Sequence, residues 1–165
     1  MELLMAEVTR IDIMPTGALK VSVPNNVPNQ SEAEVTMADG TALTEAKLFT
    51  DSLLSLNLGS DAPADAEMQE GLTHKSAEKR DSAGIIRTHT LQVPIESGFQ
   101  AIRDKEKALQ DVDFHILLTT VNGNRYLAYE LPNSSQFSID DQMGQTAKMT
   151  VKATVQSLSG FIRIE

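Results

Sequence analysis

Val112-Asp-Phe-His-Ile-Leu-Leu-Thr-Thr-Val121, Asn122-Gly123 and Asn124-Arg-Tyr-Leu-Ala-Tyr-Glu-Leu131 together form the stretch whose reading decides the fold. Val112, Phe114, Ile116 and Leu118 alternate with other residues, which is the period of a strand with one face in a core. Leu117 and Val121 make the second face partly apolar as well. Asn-Gly supplies the positive φ angles that a tight hairpin turn requires. The chain is then expected to return through Arg125, Leu127, Tyr129 and Leu131. Pro132 to Ser135 reads as a turn, Phe137 and Ile139 as a short strand, and Asp140 to Gln145 as a second turn. Met149, Val151, Ala153 and Val155 then alternate with Thr150, Lys152, Thr154 and Gln156, a one-sided strand. Ser157 to Gly160 turns the chain into a last strand, Phe161 to Glu165.

Working upstream, the same period recurs. Leu3 to Met14 alternates loosely, with Glu7, Thr9 and Asp12 expected outward. Leu19, Val21 and Val23 share one face of the next strand. Pro24 to Asn29 is a loop, because each proline removes a backbone donor. Ala33, Val35 and Met37 alternate up to Asp39-Gly40, a hairpin signal. A return strand over Ala42 to Phe49 is expected, although Leu43 to Phe49 also fits one helical turn. Leu54, Leu56 and Leu58 mark another strand. Ile85 to Ile95 places Arg87, His89, Leu91, Val93 and Ile95 on one face. One helix is expected over 97–110, with Ser97 as its cap and Phe99, Ile102 and Leu109 on its apolar stripe.

The exception is 59–84, which is polar and holds few core residues. It reads as a long loop or arm, with room for a short helix around Ala64 to Glu70, and loops of this length inside a compact domain tend to be functional or disordered. The fold class that follows is mainly β: a β-sandwich or open barrel of one domain, 1–165, with one flanking helix and a long polar loop.

Composition narrows the function classes. The 165 residues, 18.0 kDa, carry 14 Lys and Arg against 23 Asp and Glu, a net charge of -9. Such a chain repels a phosphate backbone, and with 4% aromatic residues it lacks stacking platforms for single strands. Sequence-specific nucleic-acid binding is not expected. The absence of cysteine removes disulfides, thiolate zinc sites and cysteine nucleophiles, and fits a reducing compartment. Met1 to Glu7 lacks the basic head and apolar stretch of a signal peptide, and no apolar run is long enough to span a bilayer. A soluble, cytoplasmic product with no membrane association is the default expectation.

No motif for catalysis or a cofactor is found. His74, His89 and His115 lack zinc-ligand spacing, and the two expected on strands read as satisfied sheet histidines. Asp61, Asp65, Glu67 and Glu70 lack calcium-loop spacing and read as a solvated loop. Asp140-Asp141 reads as a turn rather than a carboxylate pair across a cleft. No Gly-x-Ser-x-Gly elbow or phosphate-cradling glycine loop is present. Ser97-Gly98 reads as a capped helix start.

The helix near Phe99 to Leu109, the Asn122-Gly123 hairpin, the strands from Met149 and the segment Gly59 to Gly84 together resemble the tube-forming structural proteins of tailed bacteriophages. The resemblance implies a non-enzymatic virion protein without cofactor or metal, of tail tube, tail terminator or head–tail connector type. It implies homo-oligomeric rings, contact with other virion structural proteins, passage of DNA through an electronegative lumen, and assembly in the host bacterial cytoplasm. The family has no fingerprint motif to carry residues over, so the expected assembly contacts come from the polar segment and the terminal strand edge: Asp61, Asp65, Glu67, Glu70, His74, Lys75, Lys79 and Arg80, with Phe161 and Arg163. Two other classes fit the same residues: a carbohydrate- or protein-binding or head-decoration β-sandwich, and an enzyme with a dispersed site around His89 or His115.

Overall fold

A computed structural model describes residues 8–22, 32–58, 63–81, 84–128, 134–142, 148–157 and 161–164. The chain is mainly β, as its alternation requires. The strands are β1 (Val8–Pro15), β2 (Leu19–Ser22), β3 (Glu32–Met37), β4 (Leu54–Asn57), β5 (Ala66–Met68), β6 (Thr73–Asp81) and β7 (Gly84–Ser97). They continue with β8 (Phe114–Thr120), β9 (Arg125–Ala128), β10 (Gln136–Gln142), β11 (Lys148–Ser157) and β12 (Ile162–Ile164). Two helices interrupt them, α1 (Glu45–Asp51) and α2 (Phe99–Asp111).

Hydrogen bonding joins the strands in the order β10-β11-β7-β5-β4-β1-β8-β9-β12-β3-β2, with β6 also on β7. Among the described residues the sheet, in this order, does not close on itself. Its inner face buries Ile11, Ile13, Leu54, Leu56, Leu91, Val93, Phe114, Ile116, Leu118, Val151 and Val155 in one core. Helix α2 lies against β10, β4 and β5 and adds Ile102 and Leu109 to that core. Its charged residues occupy the opposite face, so an amphipathic stripe suffices to place it.

A second core sits on the other face of β1 and β8. Met14, Leu117, Leu127 and Ile164 meet Leu19, Val35 and Met37 of the β2–β3 hairpin and Leu48 of α1. All seven residues of β8 are consequently buried. This second layer explains why Leu117 breaks the simple alternation.

Several expectations are corrected. The residues after Asp39-Gly40 do not return as a strand over Ala42 to Phe49. Thr44 accepts a hydrogen bond from the Lys47 backbone N–H through its Oγ1, and α1 follows. Leu48 is then the one residue of the helix that is buried, so the helical turn wins over alternation. Ser97 does not cap α2. It is the last residue of β7, and Gly98 takes the cap position with φ 90 and no side-chain cap bond. Val112 and Val121 lie outside β8 and are exposed. Asp140 to Gln142 extend β10 instead of starting a turn. Tyr129, Leu131 and the expected loop Pro24 to Asn29 lie outside the described residues.

The polar segment 59–84 is not one loop. Ala66–Met68 pairs β4 in parallel and β7 antiparallel, and Thr73–Asp81 pairs β7 along its whole length. Ala66 and Met68 also reach the main core, whereas backbone pairing orders Lys75 to Arg80 without burial. The expectation of a terminal edge also fails. Strand β12 is interior, held by β9 on one side and β3 on the other. Among the described residues, the open edges belong to β10, β2 and β6.

At the start of α2 the chain passes close to β5. A Cβ built on Gly98 lies 2.6 Å from the Ala66 Cβ and 2.8 Å from its Cα. Gly40 has a similar φ of +86 but faces open space. Gly98→Ala therefore combines a left-handed backbone penalty with a clash, and about 2–4 kcal/mol of stability is expected to be lost. Gly40→Ala is expected to cost roughly 1 kcal/mol. Urea denaturation of the two variants checks the difference.

Candidate functional site

The surface that stands out is the antiparallel pair β6–β7, whose register runs from Thr73↔Gln92 to Asp81↔Gly84. β7 has 14 residues, more than the inner core covers. Its last residues lie beside β5, whereas 84–92 carry β6. β11 supports β7 only as far as Arg87↔Ser157. Beyond that point 84–86 are paired with β6 alone among the described residues. The result is an arm of strands.

Period two distributes the side chains of β6. His74, Ser76, Glu78 and Arg80 take the face of Leu91, His89 and Arg87, while Thr73, Lys75, Ala77 and Lys79 take the opposite one. Every residue from Lys75 to Arg80 is exposed. Glu78 meets Arg87 Nε at 3.3 Å in an ion pair open to solvent, which contributes little to stability. Nothing in this part of β6 is held by a core.

The base of the arm is held by three rings. His74 Nε2 and His89 Nδ1 are 2.9 Å apart in a hydrogen bond, one ring donating and the other accepting. The rings stack with centroids 5.2 Å apart, and Phe161 lies 5.0 Å from each. Burial, with His89 alongside, pushes the His74 pKa down from 6.5 to about 4. His89 itself is buried within the sheet, as expected for a strand histidine. His115 is also buried, opposite Met14, and burial pushes its pKa down to about 4.

The expected assembly residues therefore separate. Lys75, Lys79 and Arg80 all lie on the exposed part of the arm, the two lysines on one face and Arg80 on the other. His74 and Phe161 lock its base. Glu67 and Glu70 are exposed on and just after β5. Arg163 is half-buried within β12, opposite Tyr126 and Glu32. Asp61 lies outside the described residues. Asp65 is not part of a solvated run. Its Oδ1 receives Lys105 Nζ at 2.8 Å and its Oδ2 the Ser55 backbone N–H at 2.9 Å, tying the approach to β5 to both α2 and β4.

A buried polar network escaped sequence reasoning altogether. Arg10 donates through Nε and Nη2 to Asp12 at 2.9 and 3.1 Å. Its Nη1 donates to Asn57 Oδ1 at 2.8 Å and to the Pro63 carbonyl at 2.6 Å. Ser55 Oγ donates to Asp12 Oδ1 at 2.6 Å. Arg10 is 2% exposed and Asp12 0%, so the expectation that Asp12 points to water is overturned. Period two does put Asp12 opposite Ile11 and Ile13, but that second face is covered. Burial raises the Asp12 pKa, against the opposing pull of Arg10 and the Ser55 hydroxyl. The only sequence signal was an Arg-x-Asp on the outward side of an apolar strand.

The described residues contain no group of three or more His, Asp or Glu side chains placed to hold a metal ion. Among the described residues no helix is long and apolar enough to cross a membrane.

Two outcomes follow. Asp12→Ala leaves the Arg10 charge buried without its partner and is expected to cost about 3–5 kcal/mol, whereas Arg10→Met with Asp12→Leu costs less. Urea midpoints measure both. The histidines set a pH window. An unfolded histidine takes a proton near its ordinary 6.5, but folded His74 and His115 refuse it until about 4. Falling pH thus favours the unfolded chain between those values. Asp12, whose folded pKa is raised above 3.8, opposes this at the acid end. A fall in urea midpoint from pH 7 to 5 that His74→Gln plus His115→Gln flattens is the expected result. Comparisons of the chain with protein-family models, curated proteins and solved structures find no match, so the reading of this surface rests on its own geometry.

Proposed function

We propose that this chain is a structural, ring- or tube-forming virion protein, of phage tail tube, tail terminator or head–tail connector type. In this reading copies of the chain join through the β6–β7 arm and its open strand edge. The observation that carries the reading is β6 itself. Among the described residues its backbone is paired on one side only, and the side chains from Lys75 to Arg80 are all exposed. A strand of this kind gains both its missing hydrogen bonds and its burial from a second chain.

Charge favours a second copy as that chain. Residues 73–92 hold four of the 14 Lys and Arg and two of the 23 Asp and Glu. The arm is therefore +2, while the remainder of the chain is -11. A basic arm reaching an acidic neighbour is attracted to it, and identical subunits that contact head to tail close into rings or extend as helical tubes. The acidic remainder suits a lumen through which DNA passes without adhering. Phe161 and Arg163 do not act as a free edge in this reading, because β12 is already paired on both sides. Phe161 instead fixes the direction of the arm through His74 and His89.

Sedimentation and negative-stain imaging of the full chain test this. Rings or tubes are expected, weakened by salt because the attraction is screened. Lys75→Glu with Lys79→Glu and Arg80→Glu is expected to abolish assembly while leaving the circular dichroism spectrum unchanged. A wild-type chain that remains an 18.0 kDa monomer up to roughly millimolar concentration contradicts the proposal.

A further inference from the structure

A second feature lies at the other end of the sheet, away from the arm. The registers β12–β9, β9–β8, β8–β1 and β1–β4 align Ile164, Arg125, Thr119, Arg10 and Asn57 in one row. Cross-strand partners share a face, so this row places two arginines on the same side of the sheet with Thr119 between them. Arg10 is fully engaged by Asp12, Asn57 and the Pro63 carbonyl. Arg125 differs. Its Nε is buried and donates to no acceptor, and the Thr119 hydroxyl beside it, in a residue only 5% exposed, also lacks a partner. Asp12 lies near enough for Arg125 to lower its pKa, yet both Asp12 oxygens are already taken by Arg10 and Ser55.

Arg125 also lines a surface cleft of about 350 Å³ between the β8–β9 turn, β3 and the chain leading to α1. Thr36, Asn124 and Arg125 supply its polar side chains, and Val35, Leu43 and Ile164 its apolar ones. This volume is within the range of small-ligand sites. A buried guanidinium N–H without an acceptor costs free energy, and the planar fork of arginine beside the cleft fits a carboxylate best.

We propose that this cleft is a carboxylate-binding site, with Arg125 as the anion-binding residue and the apolar wall of Val35, Leu43 and Ile164 against the ligand's carbon chain. The carboxylate comes either from a free small acid or from an acidic side chain of a second copy. The site stands independently of assembly through the arm.

The test uses the full chain and two probes, acetate and succinate, titrated against chloride at equal ionic strength. NMR follows the Arg125 Nε–H signal and the amides of Gly123 and Asn124. A saturable shift with carboxylate and none with chloride is expected, at least about tenfold weaker in Arg125→Gln, since a charge-assisted hydrogen bond is lost. Arg125→Lys keeps the charge without the fork and is expected to fall between the two. If the same signals shift on raising the protein concentration alone, the carboxylate is that of a second copy. If they shift only with added acid, it is a free ligand. An Arg125 signal that neither acid nor protein concentration moves overturns the proposal, as do equal shifts in Arg125→Gln. Carboxylate binding by a chain that never assembles supports the site while contradicting the ring, so the two readings fail separately.

Discussion

One strand holds this structure together. β7 is 14 residues long and is the shared partner of β11, β5 and β6. Among the described residues β5 pairs only the last residues of β7 and β11 reaches no further than Arg87, so 84–86 project with β6 as an arm. Leu91, Val93 and Ile95 anchor the inner part in the main core. His89 stands where core gives way to arm, and its contacts with His74 and Phe161 join the two. Both the position of α2, which starts at Gly98 one residue beyond β7, and the outward course of β6 depend on this anchoring.

A second constraint is the coverage of β1 and β8 on both faces. Once α1 and the β2–β3 hairpin close over Met14 and Leu117, the polar residues of the same face cannot reach water. Arg10, Asp12, Ser55 and Asn57 then have to satisfy one another, and their hydrogen bonds do so. Removing a partner from such a network costs more than the network itself contributes, because it leaves a charge in a medium of low polarity. Arg125 and Thr119 are the members of that row left with a buried polar atom unused, and the proposed carboxylate site lies beside them.

Much of the fold was legible in the sequence. The β-rich class, the Asn122-Gly123 hairpin, the alternation of Met149 to Gln156 and the stripe of Phe99, Ile102 and Leu109 all rest on local periodicity, which does not depend on distant contacts. Three features were not legible. β6 carries no apolar alternation, because its order comes from backbone pairing with β7 and not from burial. Asp12 read as outward because period two assigns a face but does not say whether another layer covers it. β12 read as an edge because a strand's place in a sheet is set by partners far away in the chain, here Tyr126, Leu127 and Ala33. Of the residues taken as an assembly surface, Lys75, Lys79 and Arg80 all fall on the exposed arm, with Arg80 on the opposite face from the two lysines. Asp65 was drawn inward by Lys105, an ion pair across 40 positions that no local pattern signals.

The open edge of β6 is the point on which the functional reading turns. Charged residues along an edge strand protect a monomer from random pairing, and the same residues select a partner of opposite charge. These two roles differ in one observable: whether the outer backbone amides of β6 are hydrogen-bonded when copies of the chain meet. Amide hydrogen exchange across β6, measured at low and high protein concentration, reads this directly. Assembly through the arm predicts that exchange at Lys75 to Arg80 slows as concentration rises, while exchange in β8 stays unchanged. Equal, fast exchange of the outward β6 amides at every concentration would contradict it.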